Sequence, residues 1–189
     1  MPSIARVYDY LLGGRTNFAA DRDLAKRMIA DVPQLADMAR ENKVFLTRAI
    51  NWVAAQGISQ FIDLGCGLPA PPSTLDAARA NNPDARVWYV DNDPVVISHL
   101  EAFAAKGGAA TIVNADLRDV DAVMAGTDRT APACLVAGCI FHFFPADDVA
   151  DLINRYVDAL AVGSYVIVTM GHPVDEYGLR AQLGLIKPE

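Results

Sequence analysis

Along most of this chain, short apolar runs alternate with longer stretches that are apolar on one helical face only. Residues 4–12 are apolar and aromatic and predict a short helix, stopped by Gly13-Gly14. Residues 18–30 and 35–56 predict two further helices, parted at Val32-Pro33. In the longer one, Phe45, Ala49, Trp52 and Val53 recur at helical spacing, with Leu46 and Ile50 widening the stripe, so this face is expected in the core. Arg40 and Asn42 fall on its more polar end, from which they could reach a cleft, but solvent is the expected place for both.

After Gly57 the pattern changes to strand, helix, strand. Strands are predicted at residues 60–64, 85–90, 110–114, 133–138 and 164–170. Helices are predicted between them at 74–81, from Pro94 to about Lys106, and around 119–125. A last helix carries Val149, Leu152, Ile153, Tyr156, Val157 and Leu160 on one face. Asp147 and Asp148 fall in its first turn, where they complement the helix dipole. Short apolar strands alternating with helices imply an α/β fold: a parallel sheet covered on both faces, preceded by N-terminal helices. Right-handed crossovers then give a three-layer, doubly wound sheet of strand order 3-2-1-4-5. In such a sheet, ligands bind at the carboxyl ends of the strands, where the winding reverses.

Length and composition fit one domain. At 189 residues and 52% hydrophobic, the chain can bury a full core, on the order of 70% of its unfolded surface. Residues 1–56 read as a helical cap, 57–170 as the α/β core and 171–189 as a short tail. Apolar runs are broken by Gly or Pro well short of the ~20 residues of a membrane span. Met1-Pro2-Ser3-Ile4-Ala5-Arg6 lacks the basic region and apolar core of a signal peptide. Three cysteines, an odd number without framework spacing, lead to the expectation of a reducing cytoplasm. Cys139 and His142 are three apart, but one such pair does not make a zinc site, and no metal is expected. The net charge of −7 works against nucleic acid, whose binding needs Lys and Arg for its phosphates, so a small-molecule or protein substrate is expected, the small molecule first.

The chemistry gathers at three strand ends. Phe61-Ile62-Asp63-Leu64-Gly65-Cys66-Gly67-Leu68-Pro69 is a strand running into a glycine turn, where the backbone can bend sharply and approach a ligand. A dinucleotide phosphate site would carry a third glycine. Here that glycine is absent and Asp63 guards the entrance, which suits a ligand with a polar or cationic part and not a phosphate. The second predicted strand ends at Asp91-Asn92-Asp93-Pro94, where Asp91 is placed for ribose hydroxyls. Asp93 is read as the N-cap of the next helix, with Pro94 in its first turn. The third strand leads into Asn114-Ala115-Asp116-Leu117-Arg118-Asp119, where a carboxylate can accept a hydrogen bond from an exocyclic amine such as that of adenine.

This ordered trio of acid-glycine, acid and acid resembles the cofactor site of class I S-adenosylmethionine-dependent methyltransferases, which are Rossmann-like. The stretch from Ala5 to Phe18, with Asp21-Arg22 after it, is similar to the N-terminal signature of one bacterial family of these enzymes, formerly known only as a domain of unknown function. The same family is resembled in Phe61 to Pro69, Tyr89 to Val96 and Asn114 to Asp119, so that the likeness runs over about residues 2–170. It implies S-adenosylmethionine as cofactor, bound by Asp63, Gly65, Cys66, Gly67, Asp91, Asn92, Asp116 and Leu117. In that scheme Asp63 helps to position the ammonium, Asp91 takes the ribose, and Asp116 with the Leu117 backbone takes the adenine.

For Tyr8, Tyr10, Arg15, Asn17 and Phe18 two readings stand open. One is an N-terminal helix packing its rings on the core; the other is a lid or substrate wall over the cleft, where aromatic rings would favour a sulfonium. His142, in Cys139-Ile140-Phe141-His142-Phe143-Phe144-Pro145 after the fourth strand, is the histidine placed to act as a catalytic base, set against a purely structural role among aromatic rings. The Asn/Asp-Pro-Pro-aromatic motif of base-modifying relatives is absent here, which points away from nucleobase amines. Class I methyltransferases usually add a helix and an antiparallel hairpin after the fifth strand, for which the 19 residues from Gly171 to Glu189 are too few. Either residues 173–189 are expected to cover that edge, or a second subunit pairs there as a homodimer. The expected function is methyl transfer to an O or N atom of a small molecule. The alternative is a non-catalytic module that holds S-adenosylmethionine or S-adenosylhomocysteine after losing its C-terminal strands. A nicotinamide oxidoreductase shares the fold but not the glycine pattern.

Overall fold

The computed structural model describes residues 1–105 and 109–171. Three helices come first: α1 (Ile4–Leu11), α2 (Ala19–Asp31) and α3 (Leu35–Ala55). They lead into β1 (Gln60–Leu64), α4 (Thr74–Arg79), β2 (Arg86–Asp91), α5 (Pro94–Ala104) and β3 (Ala110–Asn114). The chain continues through α6 (Val120–Met124), β4 (Cys134–Gly138), a 3-10 turn at Phe141–Phe143, α7 (Ala146–Ala159) and β5 (Tyr165–Thr169). All five strands are parallel, in the order β3-β2-β1-β4-β5, as the alternating pattern predicts. The register pairs Leu64 with Val90 and Asp91 with Asn114, which brings the carboxyl ends of β1, β2 and β3 level.

The two-residue period of each strand divides the core into two layers. Phe61, Val87, Tyr89, Cys134, Val136 and Ile167 point to one face and pack under Ile50, Val53 and Ala54 of α3, Leu75 and Ala78 of α4, and Val96 and Leu100 of α5. Ile62, Leu64, Val90, Leu135 and Ala137 point the other way, against Val120, Val123 and Met124 of α6 and Val149, Leu152 and Tyr156 of α7. The buried Tyr156 hydroxyl donates to the Leu117 carbonyl at 2.7 Å, so its polar tip is satisfied. Asp93 caps α5 by accepting from the Val95 amide, as its place before Pro94 implies.

A third cluster, Val7, Leu11, Ala25 and Ala39, joins α1, α2 and α3. Beside it lies the fully buried Asp21, whose carboxylate accepts from the Ser3 amide, the Phe18 amide and Nε of Arg6. Burial pushes the Asp21 carboxyl up, but the Arg6 guanidinium and the two amides outweigh it and hold the group below its ordinary range.

The stripe on α3 lies elsewhere than its spacing suggests. Ile50, Val53 and Ala54 are buried and Leu46 and Ala49 pack at the margin, but Phe45 is 43% and Trp52 57% exposed. A 21-residue helix against a sheet edge buries one narrow face, and the two large rings fall just outside it. Trp52 instead makes a T-shaped pair with the Tyr165 ring, with centroids 5.6 Å apart. β2 runs one residue further than predicted, making Asp91 its last residue. The expected helix end at Lys106 and the tail at 173–189 lie outside the described residues.

Candidate functional site

At the carboxyl end of the sheet, a cavity of about 530 Å³ opens between β1, β2, β4 and the three N-terminal helices. Its floor is the turn after β1. Gly65 and Gly67 have φ of +57° and +65°, a left-handed backbone that side chains resist. A Cβ on Gly65 would also come within 2.6 Å of the Ile140 side chain. The two glycines therefore form a backbone cradle that a side chain would fill.

Asp63 lies beside this turn and accepts a hydrogen bond from the Thr74 hydroxyl. Burial pushes its carboxyl up to about 6, against the lowering effects of Thr74 and Lys43; the nearby Asp91 raises it further. Asp91 fastens two loops. Its Oδ2 accepts from the Gly67 amide at 3.0 Å, and its Oδ1 accepts from the amides of Asn92 and Asp93. Two carboxylate oxygens offer about four acceptor positions, so one remains on Oδ2 for a ligand. Burial also pushes the Cys66 thiol well above its ordinary value, so Cys66 lines the cavity as a neutral, inert group.

The opposite wall comes from the N-terminal helices and from the loop after β4. Tyr8 lines it, donating its hydroxyl to the Ala39 carbonyl and accepting from the Asn42 side-chain amide. Ser3 donates its hydroxyl to Asp93, which ties the start of the chain to the end of β2. His142 lines the other side with Ile140, Phe143 and Phe144. Its Nδ1 is buried without a partner among the described residues, and burial holds the imidazole below its ordinary value. Cys139, at φ +53°, also faces the cavity, with its amide donating to the Thr169 carbonyl. Strained backbone of this kind gathers at functional sites.

The structure thus brings Asp63, Gly65, Cys66, Gly67, Asp91, Tyr8 and His142 to one cavity. Asn92, Asp116, Leu117, Tyr10, Arg15 and Asn17 do not line it. Asp116 is paired with the Arg118 guanidinium, whose hydrogen bonds hold its carboxyl low. Leu117 is buried in the core beside α6 and α7. Tyr10 packs among the N-terminal helices, and Arg15 is exposed. Asn17 donates to Asp9 and to the Gly14 carbonyl, closing the glycine turn after α1. Two residues escaped the sequence reading. Asn42, for which the sequence favours solvent over the cleft, and Lys43, which no motif marks, both line the cavity. Their positions one turn before Leu46 on the buried face were the available signal.

No group of His, Cys, Asp and Glu among the described residues could hold a metal ion, and no described helix is long and apolar enough to cross a membrane. A doubly wound sheet with acids at two strand ends around a glycine cradle defines a Rossmann-like nucleoside-binding domain. The model of the S-adenosyl methyltransferase family matches residues 1–180, and the chain belongs to that family. A provisionally assigned methyltransferase from Thermobifida fusca YX is 42% identical over 97% of this chain and 71% of its own, with a TM-score of 0.86. A DUF574 family protein from Streptomyces avermitilis is 32% identical over 87% of this chain and 67% of its own, with a TM-score of 0.81. The plantazolicin methyltransferase BamL, crystallised with SAH, is only 10% identical over 86% of this chain and 54% of its own; its TM-score of 0.50 speaks to the fold alone. No curated protein matches the chain. S-adenosylmethionine is the cofactor of the family, and the residues present fit it. The cradle admits backbone contact, the floor carries an acid for an ammonium, and Asp91 keeps an acceptor position for ribose.

Proposed function

We propose that this protein methylates an oxygen or nitrogen atom of a small molecule. The observation that carries this reading is the convergence of the Gly65–Gly67 cradle, Asp63, Asp91 and His142 on one cavity that the N-terminal helices wall off. S-adenosylmethionine, when bound, supplies an already activated methyl group, so the protein's part is orientation and exclusion of water. Asp63 receives the ammonium of the cofactor, the cradle takes its methionine part against the backbone, and Asp91 takes a ribose hydroxyl. Asn92, Asp116 and Leu117 belong to the adenine side of the same reading, with Arg118 leaving Asp116 to free its oxygens. Tyr8 is the part of the N-terminal segment that faces the ligand.

His142 acts as the base that takes a proton from the acceptor. Its buried surroundings favour the neutral ring at pH 7, as a base requires. The apolar rings of Phe143 and Phe144 beside it suit an uncharged, partly apolar acceptor. The three free cysteines accord with a reducing compartment such as the bacterial cytoplasm. The net charge of −7 disfavours nucleic acid as a partner, and the edge of β5 is where a second copy would pair.

Calorimetric titration with S-adenosylmethionine and with NAD, on wild type and Asp91→Ala, tests the reading. Binding of S-adenosylmethionine alone, weakened in the variant, is expected. Binding of NAD, or of neither, would overturn it.

A further inference from the structure

Lys43 is the one lysine or arginine among the described residues that line the cavity, a lining it shares with Asp9, Asp63, Asp91 and Asp93. Three of those acids are engaged by the chain itself. Asp9 holds the turn after α1 through the Thr16 amide and the Asn17 side chain. Asp91 accepts three loop amides, and Asp93 accepts from Val95 and Ser3. Among the described residues, Asp63 accepts only from the Thr74 hydroxyl. Lys43, half-buried on α3, makes no ion pair among the described residues, although the charges of Asp63 and Asp76 act on it. One acid and one base therefore face the same cavity with bonding capacity to spare, close enough to feel each other and too far apart to pair.

Such an arrangement calls for a further partner, because burial costs both groups hydration that the Thr74 hydroxyl and their distant attraction return only in part. Burial duly pushes Lys43 down and Asp63 up, each towards its neutral form. A ligand end that carries an ammonium and a carboxylate on one carbon would satisfy both groups at once.

We propose that Lys43 and Asp63 together clamp the α-amino-acid end of the cofactor, Lys43 binding its carboxylate while Asp63 binds its ammonium. This rests on the cofactor reading above and extends it. The other charged parts of S-adenosylmethionine, its sulfonium and its ammonium, are cationic and would be repelled by Lys43. The carboxylate is the single anionic group it can meet. Because Lys43 stands on α3 and not on the sheet, the N-terminal cap takes part in reading the cofactor, and Lys43 sets specificity for the intact amino acid.

The test is calorimetry with three ligands: S-adenosylmethionine, its decarboxylated form, and methylthioadenosine, which lacks the amino acid altogether. In wild type, removing the carboxylate is expected to weaken binding about 10- to 100-fold, the range of one charge-assisted hydrogen bond. Lys43→Met is expected to lose the same factor for S-adenosylmethionine while leaving methylthioadenosine unchanged and the decarboxylated ligand, relieved of a repelling charge, no weaker than in wild type. Lys43→Arg is expected to restore most of the loss. Methylthioadenosine binding also reports that each variant is folded. Lys43→Met binding S-adenosylmethionine as wild type does, or weakening all three ligands alike, would overturn the assignment of Lys43 alone. Failure of all three to bind wild type would overturn the cofactor reading itself.

Discussion

The Gly67 amide donates to the Asp91 carboxylate at 3.0 Å, across 24 residues of sequence, and so locks the turn after β1 to the end of β2. The residue proposed to take the ribose is thus also the residue that shapes the glycine cradle. Asp91→Ala is expected to weaken S-adenosylmethionine binding on the order of 100-fold, since each hydrogen bond to a charged group contributes about 1.5–3 kcal/mol. It is also expected to lower the Tm without ligand by several degrees, because three loop amides lose their acceptor. Calorimetry and thermal melts measure the two effects. An unchanged melt with weakened binding would mean that the carboxylate serves the ligand alone.

Asp63 ties stability and binding to pH in opposite senses. Its carboxyl stands at about 6, above the ordinary 3.8, so the folded protein holds this proton more tightly than the unfolded chain does. The resulting stabilisation is fully present below about pH 4 and is lost as pH rises through about 6. Its size is on the order of 2 kcal/mol after allowance for solvent in the cavity. An ammonium ligand needs the ionised acid, so affinity is expected to rise over the same interval. Asp63→Asn should flatten both trends, raising the Tm of the free protein at pH 7 relative to wild type while reducing affinity. Parallel melting curves for the two proteins between pH 4 and 7 would count against this role.

His142→Ala is expected to reduce turnover 10²- to 10⁴-fold, the usual share of a general base, with the dissociation constant of S-adenosylmethionine within about twofold of wild type. The wild-type rate should rise with pH through a value below 6.5 and then level off, because burial lowers the imidazole. A panel of phenols and amines provides the acceptors. Equal rates in variant and wild type, on an acceptor that wild type methylates, would assign His142 to packing against Phe143, whose ring centroid lies 4.2 Å away.

Arg6→Met is expected to cost about 3–5 kcal/mol, since it strips a fully buried carboxylate of its cation. The double variant Arg6→Met with Asp21→Asn should recover part of that loss, as no unpaired charge is then buried. Asp21 lies below its ordinary value in the folded state, so its share of stability is present above about pH 4 and is lost as pH falls further. Denaturant titration at pH 7 and pH 3 measures both.

The sheet and its winding were legible in the residues because each strand is a short apolar run closed by turn chemistry, a local signal. The roles of Asp93 and of the Asp147–Asp148 pair were legible for the same reason: caps and dipole partners act within one turn. Asp63, Gly65, Gly67 and Asp91 could be placed because parallel strands bring their carboxyl ends level whatever the details of packing. Phe45 and Trp52 could not, since helical spacing defines a face but leaves open how much of it the neighbouring elements cover.

By itself, the sequence determined the doubly wound architecture, the strand ends that meet, and the kind of ligand a glycine turn guarded by an acid can take. Those are consequences of backbone conformation and period, which a few adjacent residues decide. Tertiary structure alone decided which side chains from the N-terminal helices face the cavity. Tyr8 was a candidate without a settled role, while Asn42 and Lys43 read as ordinary polar positions on a long helix. Arg15 and Asn17 stood open between packing and a lid or substrate wall; neither lines the cavity, and Asn17 closes a turn. The angle at which a helix crosses a sheet is fixed by contacts between distant residues, and that angle chooses the face presented to the ligand. The same dependence makes Lys43, which no motif marks, the residue that answers Asp63 across the site.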